Sequence, residues 1–439
     1  MRQNSKPPGF FYFLEYKKDK YDIILMIMEI NVIRLRSQLV KPEVILENTA
    51  FIEDLNDELF KDDFTLVENA KDALLSVFLI ETGGTEMLFK EYIKEHPTPC
   101  VILLCNQKNN SLPASLEIQT YCELNNITCV LFPKSDILSP SLVGLLNAFL
   151  DKESFKGHRL GVLGTPSPWL IASLMDYSKI KKHFDIEMVD ISLDELYEEV
   201  DKIAEIDVEN VNHFDDLMKR TLNKDTLLFA LKIYLALKNI VNKYNLNGFT
   251  IRCFDMLDKY KNTSCLALAL LNEEGITAGC EGDVPSLLTM HILNSITGRS
   301  SFMSNPSYLD IKNKRMTFAH CTIPLNMVKS FNLPTHFESD CGVAIEGEMD
   351  LSDITMVKIC LNTNKDSNNY FDYFLIESKI VENPHLQGYC RTQFTIEIED
   401  EEQMNSLMFG PHGNHVVITY GSYGARFHIL MKLLEDLDI

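Results

Sequence analysis

A glycine-flanked acidic motif stands near the middle of the chain, in the stretch TAGCEGDVPSLLTM. The pattern predicts a strand that ends at Glu281 and a following helix, with Asp283 as its N-cap and Gly298 just beyond its last turn. Capping is the favoured role for Asp283, because an aspartate there bonds the first free backbone N–H groups. Glu281 lies before the cap, at the carboxyl end of the strand, where α/β proteins place ligand-binding residues. Its carboxylate is therefore a candidate group for contacting a metal or a substrate.

Two histidines form a second candidate, in the glycine-rich stretch GPHGNHVVITYG near the C-terminus. His412 and His415 lie in or just before a predicted strand. Neutral imidazole is a common metal ligand, and small neighbours let the ring reach a cavity. An ordinary loop histidine is the favoured interpretation of His412. For His415 the loop role and the ligand role are both open.

Two further polar clusters occur in FAHCTIP and THFESDCG. The first contains His320 beside Cys321, and the second contains His336, Glu338 and Asp340. Adjacent residues of a strand point to opposite faces, so His320 cannot act directly on Cys321 to make a thiol nucleophile. We expect both clusters to supply polar residues at the edge of a site.

The elements that position these residues follow from the hydrophobic pattern. From residue 28 onward, apolar strands such as PCVILLC and ITCVLFP alternate with helices, which predicts parallel sheets covered on both faces. The stretch HRLGVLGTPSPWLIASL predicts a strand, a turn at Gly164 and a helix from about Pro168. After about Asn305 short strands prevail, among them THFESDCGVAIEGEM, and a helix closes the chain. This texture predicts an antiparallel sheet or barrel.

The predicted fold class is α/β, with two doubly wound, Rossmann-like parallel-sheet domains at residues 28–155 and 156–305. A β-rich antiparallel or barrel domain follows at residues 306–439, and the second domain carries the Glu281 motif. Residues 1–27 are either an extension ahead of the folded chain or a genuine N-terminal segment, and both are open. Charged residues interrupt this segment, so it has no apolar run of about 18 residues and we do not expect a membrane span.

The chain is strongly acidic. Its 439 residues include 63 Asp and Glu against 41 Lys and Arg, a net charge of −22. This balance argues against a nucleic-acid partner or an anionic membrane surface, because either encounter would begin with charge repulsion. The 11 cysteines are odd in number and contain no CxxC pair, which predicts buried reduced thiols rather than disulfides or structural zinc. We expect a cytoplasmic protein that handles small molecules.

The stretch CEGDVPSLLTMHILNSITG, with FMSNP, FAHC and NHVVITYG further on, resembles the L-fucose isomerase and L-arabinose isomerase superfamily, and more closely its fucose isomerase-like branch. The resemblance covers nearly the whole chain from residue 28 and has the same domain order. Members of this superfamily convert aldoses to ketoses with a divalent metal, typically manganese, and assemble as trimers or hexamers. The resemblance therefore implies a sugar substrate, Mn²⁺ or another divalent cation as cofactor, and a homo-oligomer.

On this resemblance, Glu281 corresponds to the metal-binding glutamate that also takes part in proton transfer, and His415 corresponds to the metal-binding histidine. The second acidic ligand and proton carrier of the superfamily falls on Asn305. An asparagine can ligate weakly through its carbonyl oxygen, but it has no charge and exchanges no proton near neutral pH. Supporting residues of such a site are expected among Asp283, His320, His336, Glu338 and Asp340.

Three functions are compatible with these residues. The leading hypothesis is a metal-dependent aldose–ketose isomerase that acts on a sugar or sugar derivative through an ene-diolate. The second is a non-catalytic carbohydrate-binding or regulatory relative that has lost the second acid, as Asn305 suggests. The third is metal-dependent chemistry on the same fold with another outcome, such as C–C cleavage or epimerisation.

Overall fold

The computed structural model describes residues 28–57, 64–68, 76–97, 100–125, 127–134, 146–148, 151–152, 154–221, 223–364, 369–410 and 413–435. The chain divides into two compact units, residues 1–147 with 432–439 and residues 148–431. The proposed N-terminal extension, residues 1–27, and His412 lie outside the described residues. The predicted domain boundaries stay predictions.

The first unit is built on a five-stranded parallel sheet with the strand order β2-β1-β3-β4-β5. Its elements are β1 (Met28–Leu35), α1 (Pro42–Leu55), β2 (Phe64–Glu68), β3 (Ser76–Ile80), α2 (Glu86–Glu95), β4 (Cys100–Cys105), α3 (Ser111–Leu124) and β5 (Thr128–Pro133). Central strands such as β4 read as continuous apolar runs because helices cover both faces of the sheet. Val101 and Leu103 are accordingly fully buried.

The second unit begins with a four-stranded parallel sheet in the order β7-β6-β8-β9. Its elements are β6 (Arg159–Leu163), α4 (Tyr177–Phe184), β7 (Glu187–Ile191), α5 (Leu193–Lys202), α6 (Phe214–Arg220), α7 (Lys224–Tyr244), β8 (Gly248–Ile251), α8 (Phe254–Tyr260), α9 (Cys265–Glu273), β9 (Thr277–Cys280) and α10 (Val284–Thr297). Both parallel sheets confirm the predicted α/β fold class. Asp283 is the N-cap of α10 and Gly298 ends it in the left-handed conformation, as the sequence predicts.

The rest of the second unit is β-rich. A closed barrel with the strand order β10-β11-β16-β15-β14-β17 confirms the predicted antiparallel or barrel region. Its elements, with a separate β12-β13 pair, are β10 (Phe302–Asp310), β11 (Arg315–His320), β12 (Val328–Asn332), β13 (Glu346–Met349), β14 (Asp353–Leu361), β15 (Phe371–Glu382), β16 (Thr392–Glu397), α11 (Glu401–Phe409), β17 (Val416–Tyr420) and α12 (Gly424–Glu435). Asn305 therefore lies within a barrel strand.

Two predicted elements were wrong. No helix begins near Pro168, because the backbone forms successive turns until α4, in which the N–H of Leu170 donates to the carbonyl of Ser167 at 2.9 Å and the N–H of Ser173 to that of Leu170 at 3.2 Å. The stretch THFESDCGVAIEGEM is a strand only at β13. Left-handed residues at Asp340 (φ 49°) and Gly342 (φ 64°) bend the chain there, and the N–H of Asp340 donates to the carbonyl of His336 at 3.0 Å.

No helix within the described ranges is long and apolar enough to cross a membrane.

Candidate metal centre

The turn between β9 and α10 sets the position of Glu281. Glu281 has a φ of 63° and Gly282 a φ of 69°, so two successive left-handed residues turn the chain sharply after the strand. Left-handed backbone is unfavourable for a residue with a Cβ. Hydrogen bonds hold it here, since the Glu281 carbonyl accepts from the N–H of Ser167 at 2.9 Å and the Gly282 N–H donates to the carbonyl of Ile251 at 3.0 Å. Such strain is typical of functional positions.

The barrel brings two imidazoles to the Glu281 carboxylate. His320 is the last residue of β11, and His415 immediately precedes β17. Oε1 of Glu281 lies 3.5 Å from Nε2 of His415 and 3.9 Å from Nε2 of His320. One ligand atom from each of the three residues falls within 4.8 Å of the others, and all three residues are buried. One carboxylate and two imidazoles are donors that suit a divalent transition metal ion.

Asp283 orients His415 in addition to capping α10. Its Oδ1 accepts from the N–H of Ser286 at 2.8 Å, and its Oδ2 lies 2.8 Å from Nδ1 of His415. Because a carboxylate accepts only, a neutral His415 carries its proton on Nδ1 and turns the lone pair of Nε2 toward Glu281. Carboxylates commonly orient metal-ligating histidines in this way.

The surroundings of Nε2 of His415 test whether these residues fit a metal ion. This nitrogen is buried and finds no hydrogen-bond partner among the described residues. A buried nitrogen without a partner is costly to a folded protein. The Glu281 carboxylate and the second imidazole beside it complete a set of donors, so the residues present fit a divalent ion.

The carboxylates and the cationic or imidazole groups of the cluster shift each other's pKa values. Burial raises the pKa of the Glu281 carboxyl, but the imidazoles of His320 and His415 outweigh burial and hold that pKa well below its usual range. Burial likewise opposes ionisation of Asp283, and the Lys358 ammonium with the His415 imidazole keeps its pKa low. The pKa of His415 is raised because the two carboxylates outweigh burial, whereas burial lowers the pKa of His320. Both carboxylates are therefore ionised at neutral pH.

Trp169 completes the surroundings of Glu281, and the sequence analysis did not assign it a role. Its Nε1–H donates to Oε2 of Glu281 at 2.6 Å, and its ring packs edge-to-face on Phe254 at 4.9 Å. This bond occupies one carboxylate oxygen and leaves Oε1 facing the imidazoles. The residue comes from the turns after β6, next to the Gly164 turn. The only feature of the sequence that could have drawn attention to Trp169 is that it is the single tryptophan of the chain.

Glu281 and His320 line a cavity of about 420 Å³ within the second unit, whereas His415 is fully buried and does not line it. Asn305, His336 and Glu338 line this cavity, whereas Asp340 is exposed and Asp283 is fully buried. The amide of Asn305 donates to the backbone carbonyl and Oδ1 of Asn414, at 3.3 and 3.1 Å. The structure thus brings His320 to the carboxylate of Glu281, and Asn305 lines the same cavity.

Thiols form much of the cavity wall. The cysteines that line it are Cys253, Cys265, Cys280, Cys321 and Cys390. They are free thiols, as the spacing predicts, and Sγ of Cys253 lies 2.9 Å from Sγ of Cys280. With Phe254, Leu257 and Phe337 they give the cavity lining a large apolar share.

The known proteins that this chain resembles in sequence are sugar isomerases. The family model of the L-arabinose isomerase central domain matches residues 176–298, which include Glu281 and Asp283. A sulfoquinovose isomerase of Alkalicoccus urumqiensis is 25% identical over 174 residues, which cover 38% of this chain and 38% of that protein. A sulfoquinovose isomerase of Clostridium sp. (strain MSTE9) is 31% identical over 100 residues, 23% of this chain and 22% of that protein.

These matches support a relationship to the arabinose and fucose isomerase-like superfamily, and none of them favours the fucose isomerase branch. The chain spans well under half the length of the curated relatives it matches.

Proposed function

We propose that this protein is a metal-dependent sugar isomerase that interconverts an aldose and a ketose. The observation that carries the proposal is the buried cluster of Glu281, His320 and His415, in which Nε2 of His415 has no hydrogen-bond partner among the described residues and Glu281 and His320 line a cavity. The match of the adjoining segment to an arabinose isomerase domain supports it. Assignment to the fucose isomerase-like branch rests on the sequence motif alone.

The chemistry follows from the groups that face the cavity. A divalent ion held by these residues would polarise the oxygens of an open-chain sugar and stabilise the ene-diolate charge. Glu281 carries out proton transfer between the two carbons, because it is the ionised carboxylate at this point of the cavity. Trp169 holds the other oxygen of that carboxylate, which fixes the direction from which it can take a proton.

Asn305 cannot provide the second acid, so another cavity residue must exchange a proton with the sugar oxygens. His336 and Glu338 line the cavity and are titratable. Burial lowers the pKa of His336, which favours the neutral imidazole that can accept a proton at neutral pH. We assign this role to one of these two residues.

The substrate that the cavity fits best is a neutral sugar. Among the described residues that line it there is no lysine or arginine, and Glu281 and Glu338 contribute negative charge. Apart from the proposed metal ion, no cation of this lining would offset the charge of an anionic sugar. Mn²⁺ as the ion and assembly as a trimer or hexamer are expectations that rest on the superfamily resemblance.

The proposal is tested first by measuring metal binding and then by measuring turnover. Mn²⁺ is titrated into the purified, metal-stripped protein by calorimetry, with Glu281→Gln and His415→Ala alongside. We expect binding to the wild type that is lost or weakened at least about 100-fold in both variants, since loss of an outer partner alone costs 10–100-fold. Absence of binding to the wild type, or equal binding by Glu281→Gln, would refute the metal site.

Screening of the metal-loaded wild type against neutral aldoses and ketoses then separates the isomerase from its alternatives. We expect the matching ketose to form from an aldose, and Glu281→Gln to abolish this turnover. The absence of a second acid at Asn305 favours a non-catalytic carbohydrate-binding relative as the second candidate. That candidate predicts sugar binding with no product. A product other than the ketose would indicate epimerisation or C–C cleavage.

A further inference from the structure

A buried lysine lies behind the candidate metal centre. Lys358 belongs to β14 and is 2% exposed. Its Nζ donates to Oγ of Ser286 at 2.6 Å and lies 3.3 and 3.4 Å from the two carboxylate oxygens of Asp283. Lysine is almost never fully buried unless it is paired, because desolvation of the ammonium is costly. This partner is the carboxylate that orients His415.

The charge of Lys358 acts on the site through Asp283. Without the ammonium, two ionised carboxylates, Glu281 and Asp283, would bracket the His415 imidazole, at 3.5 and 2.8 Å from its two nitrogens. With it, the charge of Asp283 is balanced and its oxygens are held in place, so that Oδ2 faces His415 and Oδ1 faces the start of α10. One buried cation thus governs both the geometry and the net charge behind a candidate ligand.

We propose that Lys358 balances the charge of Asp283 behind His415 and thereby lowers the affinity of the metal centre for its ion. This inference rests on the proposed function, because it concerns the same ion site. In each turnover the ion would exchange ligands and release a sugar product. A site with less negative charge holds the ion less tightly and so allows this exchange. A purely structural ion pair makes a different prediction, since removing it would loosen His415 and weaken metal binding.

The experiment compares Mn²⁺ affinity, measured by calorimetry, for the wild type and Lys358→Met, which shortens the unbranched side chain by one atom and removes its charge. Removing one unit charge near a divalent ion at an effective dielectric constant of about 20 changes affinity by at least about tenfold. We therefore expect Lys358→Met to bind Mn²⁺ at least about tenfold more tightly than the wild type, although its thermal stability is lower. Unchanged or weaker binding by folded Lys358→Met would overturn the inference.

A second comparison covers the case in which the single variant does not fold. Asp283→Asn combined with Lys358→Met removes both buried charges together, so no unpaired charge is left in the core. Its Mn²⁺ affinity is compared with that of Asp283→Asn alone, in which the lysine remains. We expect the double variant to bind more tightly than Asp283→Asn by at least about tenfold. Equal affinities would overturn the inference. A wild type that binds no Mn²⁺ would instead refute the proposed function.

Discussion

Replacing His320 by glutamine tests whether this residue, rather than Asn305, is the third ligand. Nε2 of His320 lies 3.9 Å from Oε1 of Glu281, whereas the Nδ2 group of Asn305 donates to Asn414 at 3.1 Å. Loss of an outer partner of a ligand costs 10–100-fold in metal affinity, so loss of a direct donor should cost at least about 100-fold, or ~2.7 kcal/mol. For the matched variant Asn305→Ala we expect a change below about threefold, which corresponds to ~0.6 kcal/mol.

Calorimetric titration with Mn²⁺ measures both affinities, and the fluorescence of Trp169 gives an independent signal because this single tryptophan bonds Glu281. His320 also contacts Oγ1 of Thr322 at 3.0 Å, so His320→Gln should lose about 1 kcal/mol of stability. Titrations are therefore made well below its unfolding temperature. A 100-fold loss in Asn305→Ala with unchanged affinity in His320→Gln would refute the assignment and restore the ligand set that the superfamily resemblance implies.

Two further predictions concern the framework around the site. Burial lowers the pKa of His291 to about 3 from 6.5, and its Nε2 lies 3.0 Å from Nδ1 of His158. Below pH 6.5 the unfolded chain binds a proton that the folded chain excludes, so stability falls as the pH drops, by roughly 2 kcal/mol at pH 5. Urea unfolding at pH 7 and pH 5 measures this loss, and His291→Gln should reduce it; an equal loss in the variant would contradict the assignment to His291. Gly282→Ala should destabilise the fold by more than about 2 kcal/mol, because a Cβ there would lie 2.8 Å from the carbonyl oxygen of Thr165 in a left-handed residue. Gly275→Ala is the matched control, since it is left-handed with φ 83° but has open space, and an equal loss in both would refute the steric argument.

Much of the fold was predictable because it is encoded in local patterns. Continuous apolar runs bounded by turn residues indicate buried parallel strands, as in β4 and β5. The failed helix near Pro168 shows the limit of such patterns. The apolar residues Trp169, Ile171 and Leu174 of this stretch are 49%, 86% and 64% exposed, and the chain forms turns in which Trp169 reaches Glu281.

The sequence by itself determined the fold class, the Asp283 cap and the location of Glu281 at the end of a strand, because each depends on neighbours within a few residues. Only the tertiary structure decided which side chains surround Glu281. Trp169 is separated from it by 112 positions, and His415 from Asp283 by 132. In β10 and β11, Asn305 pairs with Ala319, the neighbour of His320, so two neighbouring strands bring Asn305 and His320 to one cavity. Such proximities depend on strand register and barrel closure, which no local pattern in the sequence specifies.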